Sequence, residues 1–147
     1  MEKNIGENME KKFREFFEST DNKWSEKAAR MLSPLQLAYL GDAVYDMIIR
    51  TSLIDRKNLP VNELHKEAVK YVKAKAQAKL LFSLEDKLTE EEWVIVKRGR
   101  NAKSATVPKN ANLADYRYAT GLEALFGYLF IIGNTKRIFE LLNSVQL

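Results

Sequence analysis

Only three prolines (34, 60 and 108) and six glycines interrupt the 147 residues, and between them apolar side chains recur at helical spacing. Alternation of β-branched residues is nearly absent, so the sequence predicts an all-α fold. Ser33-Pro34 pairs a capping side chain with a proline suited to a first helical turn. It opens LQLAYLGDAVYDMIIRTSLI, where Leu37, Leu40, Val44, Met47, Ile48 and Thr51 share one stripe. After the turn-rich IDRKNLP, VNELHKEAVKYV predicts a shorter helix with Leu64, Ala68, Val69 and Val72 inward. AKAQAKLLFSLEDK follows it with little or no interruption. Thr89 and the three glutamates behind it cap EEEWVIVKRGR, where acids suit the helix dipole. Residues 113–131 predict a long apolar helix and 135–144 a final amphipathic one. Residues 7–18 predict a first helix with Met9, Phe13, Phe16 and Phe17 on one side. The length suits one compact domain.

The chain has no Cys and one His, His65. That removes disulfides, thiol nucleophiles and iron–sulfur centres, and leaves almost nothing for a zinc site. His65, on a lysine-bearing helix, is expected at a surface or boundary. Phosphate-binding P-loops, dinucleotide glycine fingerprints and the G-x-S-x-G elbow are all missing. The N-terminus has no apolar run resembling a secretory signal, and Leu122 to Gly133 is too short to span a bilayer and contains Glu123. A cytoplasmic protein without a membrane partner is the expectation.

Two acids stand in apolar company. Asp42 follows Gly41 in AYLGDAVY, and Glu123 is the one acid between Leu122 and Ile132. A carboxylate in a low-dielectric setting is costly unless it is paired, protonated or bound to a cation. A single such acid would be read as pairing with an arginine or capping a backbone. Two of them, on separate helices and each near a helix glycine (Gly41, Gly127), point instead to a shared metal. Without thiols, a hard cation taking oxygen ligands is implied, Mg²⁺ with Mn²⁺ as a substitute. The glycines predict close helix packing or room for a ligand. Asp46, one turn after Asp42, is expected to face solvent, and Tyr116, Tyr118 and Tyr128 to serve core or interface.

The net charge of +4 is an uneven sum. Residues 1–31 hold seven acids and seven bases, whereas Lys97 to Lys109 hold five bases and no acid. In that segment Lys97, Arg98, Arg100, Lys103 and Lys109 alternate with small hydrogen-bonding residues, among them Asn101, Ser104, Thr106 and Asn110. The pattern suits phosphate and sugar oxygens. Few exposed aromatics are expected nearby, which favours a duplex over an unpaired strand. Lys66, Lys70 and Lys73, at i, i+4 and i+7, would extend the surface along one helix face.

LAYLGDAV, residues 37–44, resembles the signature helix of the ribonuclease III endonuclease domain, and EALFG, residues 123–127, its second acidic motif. KRGRNAKSATVPKN followed by YRYATGLEALFGYLF is similar to the compact branch called Mini-ribonuclease III. The likeness runs from about Ser33 to Phe139. It implies a catalytic domain over 32–147 with 1–31 as a helical extension, a homodimer, and Mg²⁺-dependent cleavage of double-stranded RNA leaving a 5′-phosphate. It further implies trimming of the 23S ribosomal RNA precursor stem, with a ribosomal protein as a possible assistant. Asp42 and Glu123 would be the catalytic and metal-holding acids, and Tyr39, Leu40 and Gly41 would lie at the dimer contact. The family's other acids are absent, with Leu35, Ala38 and Thr120 at their places, so one well-held metal per subunit is expected. Two rival readings remain open: a non-catalytic double-stranded-RNA-binding module of the same fold, and a helical protein–protein adaptor.

Overall fold

The computed structural model describes residues 10–12, 14–15, 24–103, 107, 109 and 112–145, and these contain helices and no strand. Seven helices follow in order: α1 (Glu26–Arg30), α2 (Pro34–Arg56), α3 (Val61–Val72), α4 (Ala74–Ser83), α5 (Glu90–Asn101), α6 (Leu113–Ile131) and α7 (Thr135–Asn143). Residues 10–12 and 14–15 are helical too, inside the first predicted helix. Its apolar residues Met9, Phe13, Phe16 and Phe17 lie outside the described residues.

The helix ends have local causes. Ser33 and Gln36 form a reciprocal capping box with Pro34 in the first turn, and Thr89 and Glu92 form another. Asn112 and Asn134 cap α6 and α7 through the amides of Asp115 and Arg137. One extended residue, Lys73, separates α3 from α4.

Helix α6 is the axis of the fold and packs against α1, α2, α4, α5 and α7. Leu122, Ala124 and Leu125 are fully buried, so this helix needs apolar residues on nearly every side. Tyr45 of α2 stacks on Phe126 of α6 with ring centroids 5.6 Å apart, and its hydroxyl donates to the Tyr71 carbonyl. The packed unit extends N-terminal of residue 32. Ala29 is fully buried, and Arg98 donates to the carbonyls of Arg30 (3.0 Å) and Leu32 (3.1 Å). Among the described residues no helix is long and apolar enough to cross a membrane.

Candidate active site

The crossing of α2 and α6 is closed by two glycines. A Cβ on Gly41 would collide with the Glu123 carbonyl, and one on Gly127 with the Leu37 carbonyl. With hydrogen at both positions, the two backbones touch. This contact corrects the placement of Gly41 at a dimer interface: its α-carbon is used up inside the chain. Leu40 is half-buried and packed on the core. Of the three residues expected at that contact, only Tyr39 faces outward, 85 % exposed.

The crossing delivers the two acids predicted from sequence to one place. The Asp42 and Glu123 carboxyls come close enough to share a hydrogen bond. Asp42 is exposed, a correction to its expected embedding, and Glu123 is half-buried. Burial, then the Asp42 hydrogen bond and the Asp42 charge, push the Glu123 carboxyl up to about 9. At neutral pH and without a cation, Glu123 therefore keeps a proton against its neighbour. Among the described residues no basic side chain acts on Glu123, so the pair is an acid cluster that a cation would relieve.

The donor set fits a hard divalent ion: carboxylate oxygens only, with a wet side at Asp42. Among the described residues no third acid or histidine joins them to make a fuller metal cluster. Thr120, at the place of a family acid, donates its hydroxyl to the Tyr116 carbonyl of its own helix (2.9 Å). Two carboxylates leave most of an octahedral shell to water and to a ligand's oxygens. Asp46 is engaged by Arg50 at 3.1 Å on the same helix.

On the other side of α6, Gly99 of α5 packs against Gly121 and Ala124. This contact fixes the last turns of α5 against the Thr120–Ala124 stretch of α6, which also carries Glu123. Lys97 and Asn101 are exposed on that last turn, and Lys103 and Lys109 are exposed beyond it. Arg100 is half-buried, with its Nε donating to Asn101 Oδ1 at 3.1 Å. Arg98 departs from its expected role on RNA, because its guanidinium is committed to the Arg30 and Leu32 carbonyls. Ser104 and Asn110 lie outside the described residues. On α3, Lys66 and Lys70 meet Glu63 (3.7 Å) and Glu67 (3.1 Å), which dilutes the positive face expected there; Lys73 is exposed at the break. Glu67 also takes Lys57 at 3.1 Å, and hydrogen bonds from Lys70 and then Lys57 hold its carboxyl below the usual range.

The sequence reading missed two features. Glu92 is buried and bound by Arg137 through Nε and Nη2, at 2.8 Å each. From sequence its position supports only a capping role. Phe82, Trp93 and Tyr118 come together beside Lys97 and Arg100. The 93, 97, 100 spacing along one helix face was the available signal for that cluster.

The ribonuclease III domain family matches residues 35–134, the span that contains both acids and the basic end of α5. A Mini-ribonuclease 3 of Thermoanaerobacter sp. is 52 % identical over 139 residues, covering 94 % of this chain and 97 % of that protein. A Mini-ribonuclease 3 of Brevibacillus brevis is 51 % identical over 114 residues, 78 % of this chain and 85 % of that protein. Among solved structures, a crystal structure of a Fusobacterium nucleatum protein superposes with a TM-score of 0.71 at 32 % identity. It covers 78 % of this chain and 91 % of its own.

Proposed function

The chain belongs to the ribonuclease III domain family and is an endoribonuclease, and on that premise we propose that it cleaves double-stranded RNA with a divalent cation, Mg²⁺ or Mn²⁺, held by Asp42 and Glu123. The observation that carries this reading is the acid pair at the glycine crossing, with no basic side chain among the described residues acting on Glu123 and α5 packed on the same stretch of α6. When bound, the cation acidifies water and draws charge from a phosphoryl group. Glu123 releases its proton as the cation arrives, and Asp42, on the wet side, presents its carboxylate to the same centre. Gly41 and Gly127 fix the spacing between them. Lys103 and Lys109, with Lys97 and Arg100 at the edge of the same surface, hold the RNA backbone and set its register over the acids.

The reading includes 5′-phosphate products, a cytoplasmic homodimer that sets one site against each strand, and Tyr39 at the contact between copies. The substrate is the stem at the ends of the 23S ribosomal RNA precursor, with ribosomal-protein assistance. Its support is the likeness to the compact branch of the family. Mapping precursor ends in cells lacking the protein tests the substrate.

Asp42→Asn tests the chemistry. Cleavage of a duplex should fall by more than the roughly 100-fold typical of groups that only support a metal site, with RNA affinity retained. Cleavage at the wild-type rate would overturn the role of Asp42. A wild-type protein that binds duplex but cuts nothing under any divalent ion would leave a binding module of the same fold.

A further inference from the structure

Between α4, α5 and α6 lies an open cleft of about 360 Å³, lined by Phe82, Glu85, Trp93, Lys97, Arg100 and Tyr118. Phe82 and Tyr118 meet edge to face, centroids 4.9 Å apart, and Phe82 remains 50 % exposed. The Trp93 indole N–H donates to the Glu85 carbonyl at 3.2 Å, which fixes the ring and satisfies its donor. Lys97 and Arg100 follow Trp93 by one and two turns on the same face of α5. Aromatic surface left open beside two cations is an unusual use of a small protein's exterior. It offers a ring a stacking partner and a phosphate a counter-charge within one concavity.

We propose that this cleft binds an unpaired nucleotide of the substrate RNA, its base against Phe82 and Tyr118 and its phosphate at Lys97 and Arg100. Glu85 supplies acceptors for the base's N–H groups. The inference rests on the reading of the protein as a duplex-RNA endonuclease and adds a recognised feature, a single-stranded segment adjoining the duplex. A paired base cannot enter, because both its faces are covered by its neighbours in the helix. Lys97 and Arg100 belong to the same basic run as Lys103 and Lys109, so the cleft continues the surface assigned to the duplex.

The test measures affinities of the full chain, in metal-free buffer so that nothing is cut. The ligands are a blunt RNA duplex and the same duplex carrying a short unpaired 3′ or 5′ extension containing 2-aminopurine. One extension should bind about fivefold tighter than the blunt duplex, the lower range for one stacked base, with its 2-aminopurine fluorescence quenched. Phe82→Ala should erase both the advantage and the quenching while leaving blunt-duplex affinity in place, and Phe82→Trp should restore them. Equal affinity for blunt and extended duplexes, as a cleft kept for an acidic peptide would give, overturns the proposal and leaves the duplex reading intact. So does an advantage that survives Phe82→Ala, or a Phe82→Ala loss that falls equally on both RNAs. Release of the quenched base by low concentrations of AMP would assign the cleft to free nucleotides and overturn the RNA-borne source. Failure to bind either RNA overturns the duplex reading and this inference together.

Discussion

Glu92 on α5 and Glu123 on α6 are two carboxylates set into helix interfaces, one against an arginine and the other against a second acid. Burial alone would raise both. At Glu92 the Arg137 hydrogen bonds, the Thr89 backbone N–H and the Arg137 charge more than offset it, and the carboxyl lies below its usual range. At Glu123 burial is reinforced by Asp42, and the carboxyl is pushed up to about 9. The first acid is satisfied inside the fold and ties α5 to α7. The second meets another acid rather than a cation of the fold, the arrangement on which the proposed metal site rests. A fold can therefore hold the same side chain for opposite ends, and the neighbour decides which.

The comparison breaks most severely if the crossing itself is opened. Gly41→Ala places a methyl against the Glu123 carbonyl and must part α2 from α6. We expect a loss of at least about 3 kcal/mol by thermal or urea unfolding, together with loss of any Mg²⁺-induced rise in melting temperature. Gly99→Ala, whose Cβ would meet Ala124 Cβ and Gly121 Cα at 2.9 Å, should cost less and keep the Mg²⁺ response. Equal losses would remove the special status of the α2–α6 crossing.

Arg137→Ala should turn Glu92 into a second Glu123, a buried acid without a cation. We expect about 2–3 kcal/mol of destabilisation near neutral pH in urea titrations. The sign with pH follows from the lowered carboxyl. Its contribution is present above the ordinary carboxylate value and is lost as pH falls through the depressed folded value. The deficit of the variant should therefore shrink on acidification. A deficit that stays constant into the acid range would mean that Arg137 acts through packing alone.

At Glu123 the sign is reversed. Because its folded carboxyl is raised, the metal-free native state gives up stability as pH climbs from the ordinary carboxylate value toward about 9. Glu123→Gln cannot titrate. In metal-free buffer it should melt above the natural chain, with the gap widening from neutral toward mildly alkaline pH and closing in acid. Added Mg²⁺ should stabilise the natural chain and leave the variant nearly unmoved. A variant less stable than the natural chain at every pH would show Glu123 to be a structural acid like Glu92.

Much of this was readable from the chain. The capped starts at Ser33-Pro34 and Thr89 have structural counterparts, and the apolar stretch at 113–131 became the central helix because only a helix surrounded by others can be apolar on every side. Asp42 and Glu123 were conspicuous for the complementary reason, since each is an acid within an otherwise apolar stretch. The errors have a common physical source. Arg98 looked like one more cation of a basic run, and nothing local reveals that the carbonyls of Arg30 and Leu32, more than sixty residues away, would claim its guanidinium. Glu92 looked like a cap because its partner lies 45 positions along the chain. Gly41 was recognised as a packing glycine, but the sequence could not say whether α6 or a second copy would fill the space.

By itself, then, the sequence determined the helices, their ends, the family and the two acids, because all of these are written in local spacing and residue type. The tertiary structure alone decided which charges are spent inside the fold and which remain free. Those outcomes depend on distances between residues far apart in the chain. It also decided that three aromatic rings from three helices open beside two cations of α5. A carboxylate's proton and an arginine's partner are properties of a neighbourhood, and only packing creates one.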